Sequence, residues 1–161
     1  GVGRTWHVLD NQVADPQLTL LCVHGNPSWS YLFRGLLRRA PEGVRVVAVD
    51  QLEMGFSERS GQVRRLATRV DDLCQLTDEM GIDGPVVTVA HDWGGPVSLG
   101  WAQRHLRQRV PDYDPEQHWG GALFLFVRGM RGTSDASASV FFDRQPAALL
   151  NAVDDWLGVS R

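Results

Sequence analysis

No feature of this 161-residue chain constrains its fold more than Val86-Val87-Thr88-Val89-Ala90 and the residues directly after it. A short β-branched, apolar run reads as a buried strand. It stops at His91-Asp92, and Gly94-Gly95 lead into a segment with helical spacing marked by Val97, Leu99, Trp101, Ala102 and Leu106. Strand, sharp turn and helix within so few residues push the residue at the turn toward positive φ, and its neighbours must then be small. Ala90, two before Asp92, and Gly94, two after it, meet that need. A carboxylate presented at such a turn is placed to attack a substrate carbon and form an ester. Asp is also a favoured helix N-cap, and this stretch alone leaves both roles open.

The rest of the chain repeats the alternation. Thr5 to Leu9 reads as a strand and Asp10-Asn11 as a turn. Leu18 to Val23 is a continuous apolar run, the signature of a strand covered on both faces, and it ends in His24-Gly25-Asn26-Pro27. Trp29, Leu32, Phe33, Leu36 and Leu37 then mark a helix over 29–39, stopped by Pro41 and Gly43. Val44 to Val49 is a second buried strand, closed by Asp50 and the loop 51–57. Val63, Leu66, Ala67, Val70, Leu73, Cys74 and Met80 mark one face of a long helix ending at Gly81. Beyond Arg107 the pattern weakens to a strand at Ala122 to Val127 and a helix from Pro146 to Leu157.

Strands alternating with helices predict an α/β domain with a mainly parallel, doubly wound sheet. The strands near 18–23, 44–49 and 85–90 should be adjacent and parallel. Ligands in such sheets bind beyond the carboxyl ends of the strands, where the His24 loop, the Asp50 loop and the Asp92 turn converge. The expectation is one domain over 1–161, a length that buries a sizeable core.

Composition excludes several classes. A net charge of −3 points to neither nucleic acid nor an acidic membrane surface as partner. Arg38-Arg39 and Arg64-Arg65 read as solvated helix faces. No apolar run spans a bilayer and no signal-peptide pattern opens the chain. Cys22 and Cys74 read as buried thiols in a reducing cytoplasm. Neither a glycine-rich phosphate loop nor a metal-ligand cluster is present to call for a cofactor.

Two motifs carry a family resemblance. Leu21-Cys22-Val23-His24-Gly25-Asn26-Pro27-Ser28-Trp29 and His91-Asp92-Trp93-Gly94-Gly95, with the loop from Asp50 to Ser57 between them, resemble the α/β-hydrolases that use an aspartate nucleophile. That group includes haloalkane dehalogenases, epoxide hydrolases and the β-lactone decarboxylases of bacterial olefin synthesis. The resemblance covers about residues 5–107. Asn26 together with Trp93 is similar to the dehalogenase and β-lactone decarboxylase branch. There the matching amide and indole donate to a departing halide, and indole suits an anion because it only donates. The resemblance further implies that the backbone N–H groups of Trp93 and Asn26 form an oxyanion hole. His24 and His91 are then structural hydrogen-bonders rather than bases, and His7 and His105 surface or packing residues.

The resemblance also implies an acid after a later strand, a histidine before the last helix and a helical cap over the site. The chain is too short for all three and reads as an internally shortened member without a recognisable cap domain. If Ala122 to Val127 is a displaced sixth strand, no carboxylate stands at its end; if it matches the seventh, Asp135 is the acid. Glu116 is a further acid in a turn-rich stretch. Phe141-Phe142-Asp143-Arg144-Gln145-Pro146 is similar to the family's ending just after its catalytic histidine, where this chain has Ser139 or Val140. His118 is the other downstream histidine, but it precedes a strand instead of the final helix, so the base reads as missing. Two functions stay open: a hydrolase acting on a small apolar electrophile, with halide as the leaving anion, and a catalytically silent relic or fragment acting by binding. A site without its cap would expose apolar surface and favour self-association.

Overall fold

The computed structural model describes residues 3–109, with side chains as far as residue 105. The elements are β1 (Val8–Asp10), β2 (Leu18–Val23), a 3₁₀ turn (Ser30–Phe33) running into α1 (Arg34–Arg39), β3 (Val44–Val49), α2 (Leu66–Glu79), β4 (Val86–Ala90) and α3 (Gly94–Arg109). The strand at 122–127 and the helix at 146–157, with Glu116, His118 and Asp135, lie outside the described residues.

The three apolar runs become strands with the bounds their sequence predicts. The sheet order is β1-β3-β2-β4. β2 pairs parallel with β3 on one side and β4 on the other, whereas β1 runs antiparallel to β3. Val23 lies level with Val49 and with Ala90, so the carboxyl ends of the three parallel strands are flush. The chain passes from β2 to β3 and then back across β2 to β4, which makes the reversal of direction that opens a crevice at strand ends.

Side-chain alternation divides the core into two layers. Leu20, Cys22, Val46, Ala48, Val87 and Val89 face Leu32, Phe33 and Leu36 of the 3₁₀–α1 segment. Leu21, Val23, Val47 and Val49 face Leu73 and Leu76 of α2 and Val97 and Trp101 of α3. All six residues of β2 are buried, the reason its sequence is apolar without alternation. A fully buried Leu or Val side chain contributes about 1.5–3 kcal/mol, so this central strand anchors both layers.

The structure differs from the sequence pattern in four places. The first strand spans Val8–Asp10 rather than Thr5 to Leu9, because residues 5 and 7 bond the loop after β3 instead: Glu58 N donates to Thr5 O and Asp50 N to His7 O. Trp29 precedes the helix in extended conformation and is 43% exposed, off the face it was expected to share with Leu32 and Phe33. Helix α2 begins only at Leu66, leaving Val63 93% exposed. Arg64 is not on a solvated face: its side chain is 4% exposed, with Nη1 2.6 Å from Asp72 and Nε 3.5 Å from Glu53.

Candidate active site

Asp92 stands two residues beyond β4 with φ of 51°, a left-handed conformation for a residue with a side chain. Such a conformation costs about 1–3 kcal/mol and persists only where its surroundings fix it. They do so through the backbone. His91 N–H donates to Val23 O (3.1 Å), Gly94 N–H to His91 O (2.9 Å) and Gly95 N–H to Asp92 O (2.9 Å). A Cβ on Gly94 would overlap Val23 O and lie 2.6 Å from Val23 C and 2.8 Å from His24 O. The small residue required after the turn is thus required because α3 starts against the end of β2.

The loop after β2 meets Asp92 from the other side. Asn26 N–H donates to Asp92 Oδ2 at 2.9 Å, which is the one hydrogen bond the carboxylate accepts among the described residues. Gly25 makes the approach feasible: a Cβ there would overlap Oδ2 and lie 2.6 Å from Asp92 Cβ and 2.5 Å from Trp93 N. The Asn26 amide therefore holds one carboxylate oxygen, the Trp93 backbone N lies close to Gly25 on the same side, and Asp92 remains half-buried. Trp93, next in the chain, is 56% exposed, and Phe56 of the loop after β3 is 74% exposed. An open groove of about 410 Å³ runs from Asn26 and Trp29 to Met54, Phe56 and Arg59.

The third loop is fastened by Asp50, fully buried at the end of β3. Its Oδ1 accepts from Ser30 N–H (2.6 Å) and Oδ2 from Phe56 N–H (2.8 Å), while Gly55, at φ of 53°, leaves no room for a Cβ beside the carboxylate. Burial pushes this carboxyl up, but the hydrogen bonds from Phe56 and Ser30 outweigh it, so its pKa lies below the ordinary value. Asp50 is an ionised fastener between the loop and the 3₁₀ turn. His7, expected at the surface or in packing, places Nδ1 3.0 Å from Asp50 Oδ2, out of hydrogen-bond alignment.

His24 is fully buried, with Nδ1 2.8 Å from Gly25 O and Nε2 accepting from Gln51 N–H (2.9 Å). Nδ1 must carry the proton, and burial lowers the pKa, so this histidine is a neutral structural link. His91 is buried: its backbone N–H donates to Val23 O, while its Nδ1 has no partner among the described residues. His105 stacks on Trp101 at 4.7 Å. The structure therefore brings together Asp92, Asn26 and Trp93. The proposed acid Asp135 and base His118 fall outside the described residues. Sequence reasoning missed Gly25 as a steric requirement and Gln51 as a link between loops. Their signals are the tight His24-Gly25 pair and a polar residue next to a buried strand end.

Comparison with known proteins agrees with this geometry. The sequence pattern of the alpha/beta hydrolase fold matches residues 19–158. A cis-3-alkyl-4-alkyloxetan-2-one decarboxylase of Xanthomonas campestris pv. campestris is 38% identical over 114 residues, covering 66% of this chain and 38% of that protein. A haloalkane dehalogenase of Sphingobium indicum is 37% identical over 112 residues, covering 67% of this chain and 36% of its own. The crystal structure of a haloalkane dehalogenase from Bradyrhizobium elkani superimposes with a TM-score of 0.57 at 29% identity, over 64% of this chain and 35% of that one. The chain thus spans little more than a third of the length of the curated relatives it matches. Among the described residues, no helix is long and apolar enough to cross a membrane and no cluster of three or more His, Cys, Asp or Glu could hold a metal.

Proposed function

Because this chain belongs to the α/β-hydrolase fold family, we propose that it carries the aspartate-nucleophile chemistry of the dehalogenase and alkyloxetanone decarboxylase group, acting on a small apolar electrophile. One observation carries the reading: Asp92, at positive φ between strand and helix, has one oxygen held by the Asn26 amide and the other left for attack. Oδ1 forms a bond to the substrate carbon while the bond to the leaving group breaks, and that group departs with the electron pair. The Trp93 indole and the Asn26 side-chain amide are the donors for the departing anion. In the second step water adds to the ester carbonyl. Charge collects on Oδ2, where the Asn26 and Trp93 amides stabilise it, and the substrate leaves as an alcohol.

Only the second step needs a general base, because neutral water is a poor nucleophile. His118 is proposed as that base and Asp135 as its acid. A second reading, an incomplete or silent hydrolase, is supported by the described histidines: His24 commits both nitrogens, His7 faces Asp50, His105 stacks on Trp101, and His91 is buried beneath the elbow turn.

Exposure to a small alkyl bromide followed by mass spectrometry and bromide assay tests this. The expected result is an alkyl adduct on the peptide containing Asp92, absent in Asp92→Asn. Catalytic bromide release beyond one equivalent shows that a base is present. A folded chain that neither gains the adduct nor releases bromide overturns the nucleophile reading and leaves binding as the function.

A further inference from the structure

We propose that Gln51 is the positioning residue of this site, clamping the loop that presents the Asn26 amide to Asp92. The inference rests on Asp92 as the reacting carboxylate and adds what holds it ready. Asn26 lies in a loop of His24, Gly25 and Pro27 whose own backbone bonds do not fix the direction of the Asn26 N–H: Ser28 N–H and Ser28 Oγ both donate to Gly25 O. The direction is fixed from β3. Gln51 follows Asp50 at the end of that strand and is 4% exposed. Its backbone N–H donates to His24 Nε2 at 2.9 Å, and its side-chain Nε2 donates to His24 O. Both the ring and the carbonyl of His24 are thus gripped by one residue, and His24 Nδ1 passes the grip to Gly25 O.

An amide can be turned either way about its last torsion, and the wrong orientation would set oxygen against His24 O. Arg69 of α2 removes that freedom. Its Nη1 donates to Gln51 Oε1 and to Leu52 O, each at 3.3 Å. Guanidinium only donates, so Oε1 must face Arg69 and the NH₂ must face His24. The chain of contacts runs Arg69, Gln51, His24, Gly25, Asn26 and Asp92, joining α2 to the nucleophile across the ends of β3, β2 and β4. The groups charged or titratable about His24 are Asp50, Arg69 and His91. None of them bonds the His24 carbonyl, which leaves Gln51 as its side-chain partner among the described residues.

The test follows the Asn26 amide by ¹H–¹⁵N NMR of the full chain while Asp92 is titrated. In the wild type the signal should move with an inflection that Asp92→Asn abolishes, because a carboxylate acceptor shifts its donor when it protonates. In Gln51→Leu the amplitude should fall by at least half, and alkylation of Asp92 by the alkyl bromide should slow by ~10–100-fold, the scale expected of a misplacement near 1 Å. Arg69→Met should act in the same sense but less, and the double variant should be no worse than Gln51→Leu, since Arg69 acts through Gln51. A merely structural role would lower the melting temperature and leave the amplitude intact. Full amplitude in folded Gln51→Leu, or additive losses in the double variant, would overturn the proposal. Should Gln51→Leu fail to fold, Arg69→Met decides by the same amplitude. A wild type that never alkylates refutes the nucleophile reading but not the clamp, which the titration judges without chemistry.

Discussion

Replacing Gly94 by alanine perturbs the elbow where nothing can give way. The new Cβ would overlap Val23 O and lie 2.6 Å from Val23 C and 2.8 Å from His24 O, against the 3.4 Å at which ordinary van der Waals contact begins, so backbone must move by more than about 0.8 Å. Val23 is fully buried in the central strand and paired on both sides. The strain falls at the upper end of overpacking costs, about 3 kcal/mol. For a chain of this size that lowers the melting temperature by roughly 6–12 °C. Gly25→Ala meets the Asp92 side chain and the Trp93 amide instead. The Trp93 amide and Asp92 Cβ are as fixed as the elbow itself, so the cost is also ~3 kcal/mol, and because Asp92 is displaced its alkylation slows about 100-fold. Gly100→Ala meets the Val70 methyls Cγ2 and Cγ1, at 2.5 and 3.2 Å, on the facing helix; Val70 holds one favoured rotamer, so α2 and α3 shift slightly apart at a cost of ~1 kcal/mol. The helix gains about 1 kcal/mol from losing a glycine, and the melting temperature should hardly change. Circular dichroism melts of the three variants, with adduct rates, measure this order. If Gly94→Ala and Gly100→Ala melt together, the packing of α3 against β2 is not what shapes the elbow.

Bromide or iodide should quench tryptophan fluorescence with a saturable component that Trp93→Phe removes; linear quenching throughout speaks against an anion site at Trp93. Glu53, bonded by Ser60 Oγ and the amides of Ser60 and Gly61, has its pKa held down to about 2 from the ordinary 4.5. A depressed carboxyl stabilises its loop above the ordinary value and releases it as pH falls toward the folded one. Amide protection factors at Ser60 and Gly61, the intrinsic rate divided by the observed one, should therefore fall as pH drops from 4.5 to about 2, and Glu53→Gln should remove that pH dependence. Trp101→Phe deletes the 2.8 Å indole bond to Thr77 Oγ1 that ties α3 to α2. It should cost about 1–2 kcal/mol in urea unfolding, and an unchanged midpoint would mean that the bond contributes nothing net.

Strands β2, β3 and β4 were legible because their apolar runs are continuous, as layers packed on both faces of the sheet require, whereas the three-residue β1 carries no such run and its bounds were missed. The amphipathic segments were less so. Periodicity placed Trp29 and Val63 on helices, yet both precede the helix start, where the spacing of apolar residues carries no meaning. The elbow was legible because positive φ at Asp92 demands small neighbours, a local requirement written in local residues. Arg64 was misjudged because a basic pair looks the same in sequence whether or not Asp72 and Glu53 fold onto it.

Sequence by itself determined the three strands and the turn that exposes Asp92. The first follow from the burial of continuous apolar runs and the second from backbone sterics between neighbouring residues. Tertiary structure decided the rest: that the Asn26 amide, not its neighbour's, reaches Asp92 Oδ2; that Gly25 must be bare; that His24 stays neutral; that Gln51 and Arg69 bind the loops together. The Asn26–Asp92 bond alone joins residues 66 positions apart along the chain. Such contacts depend on strand register and on the direction of single N–H bonds, and residue order does not encode either until the sheet has formed.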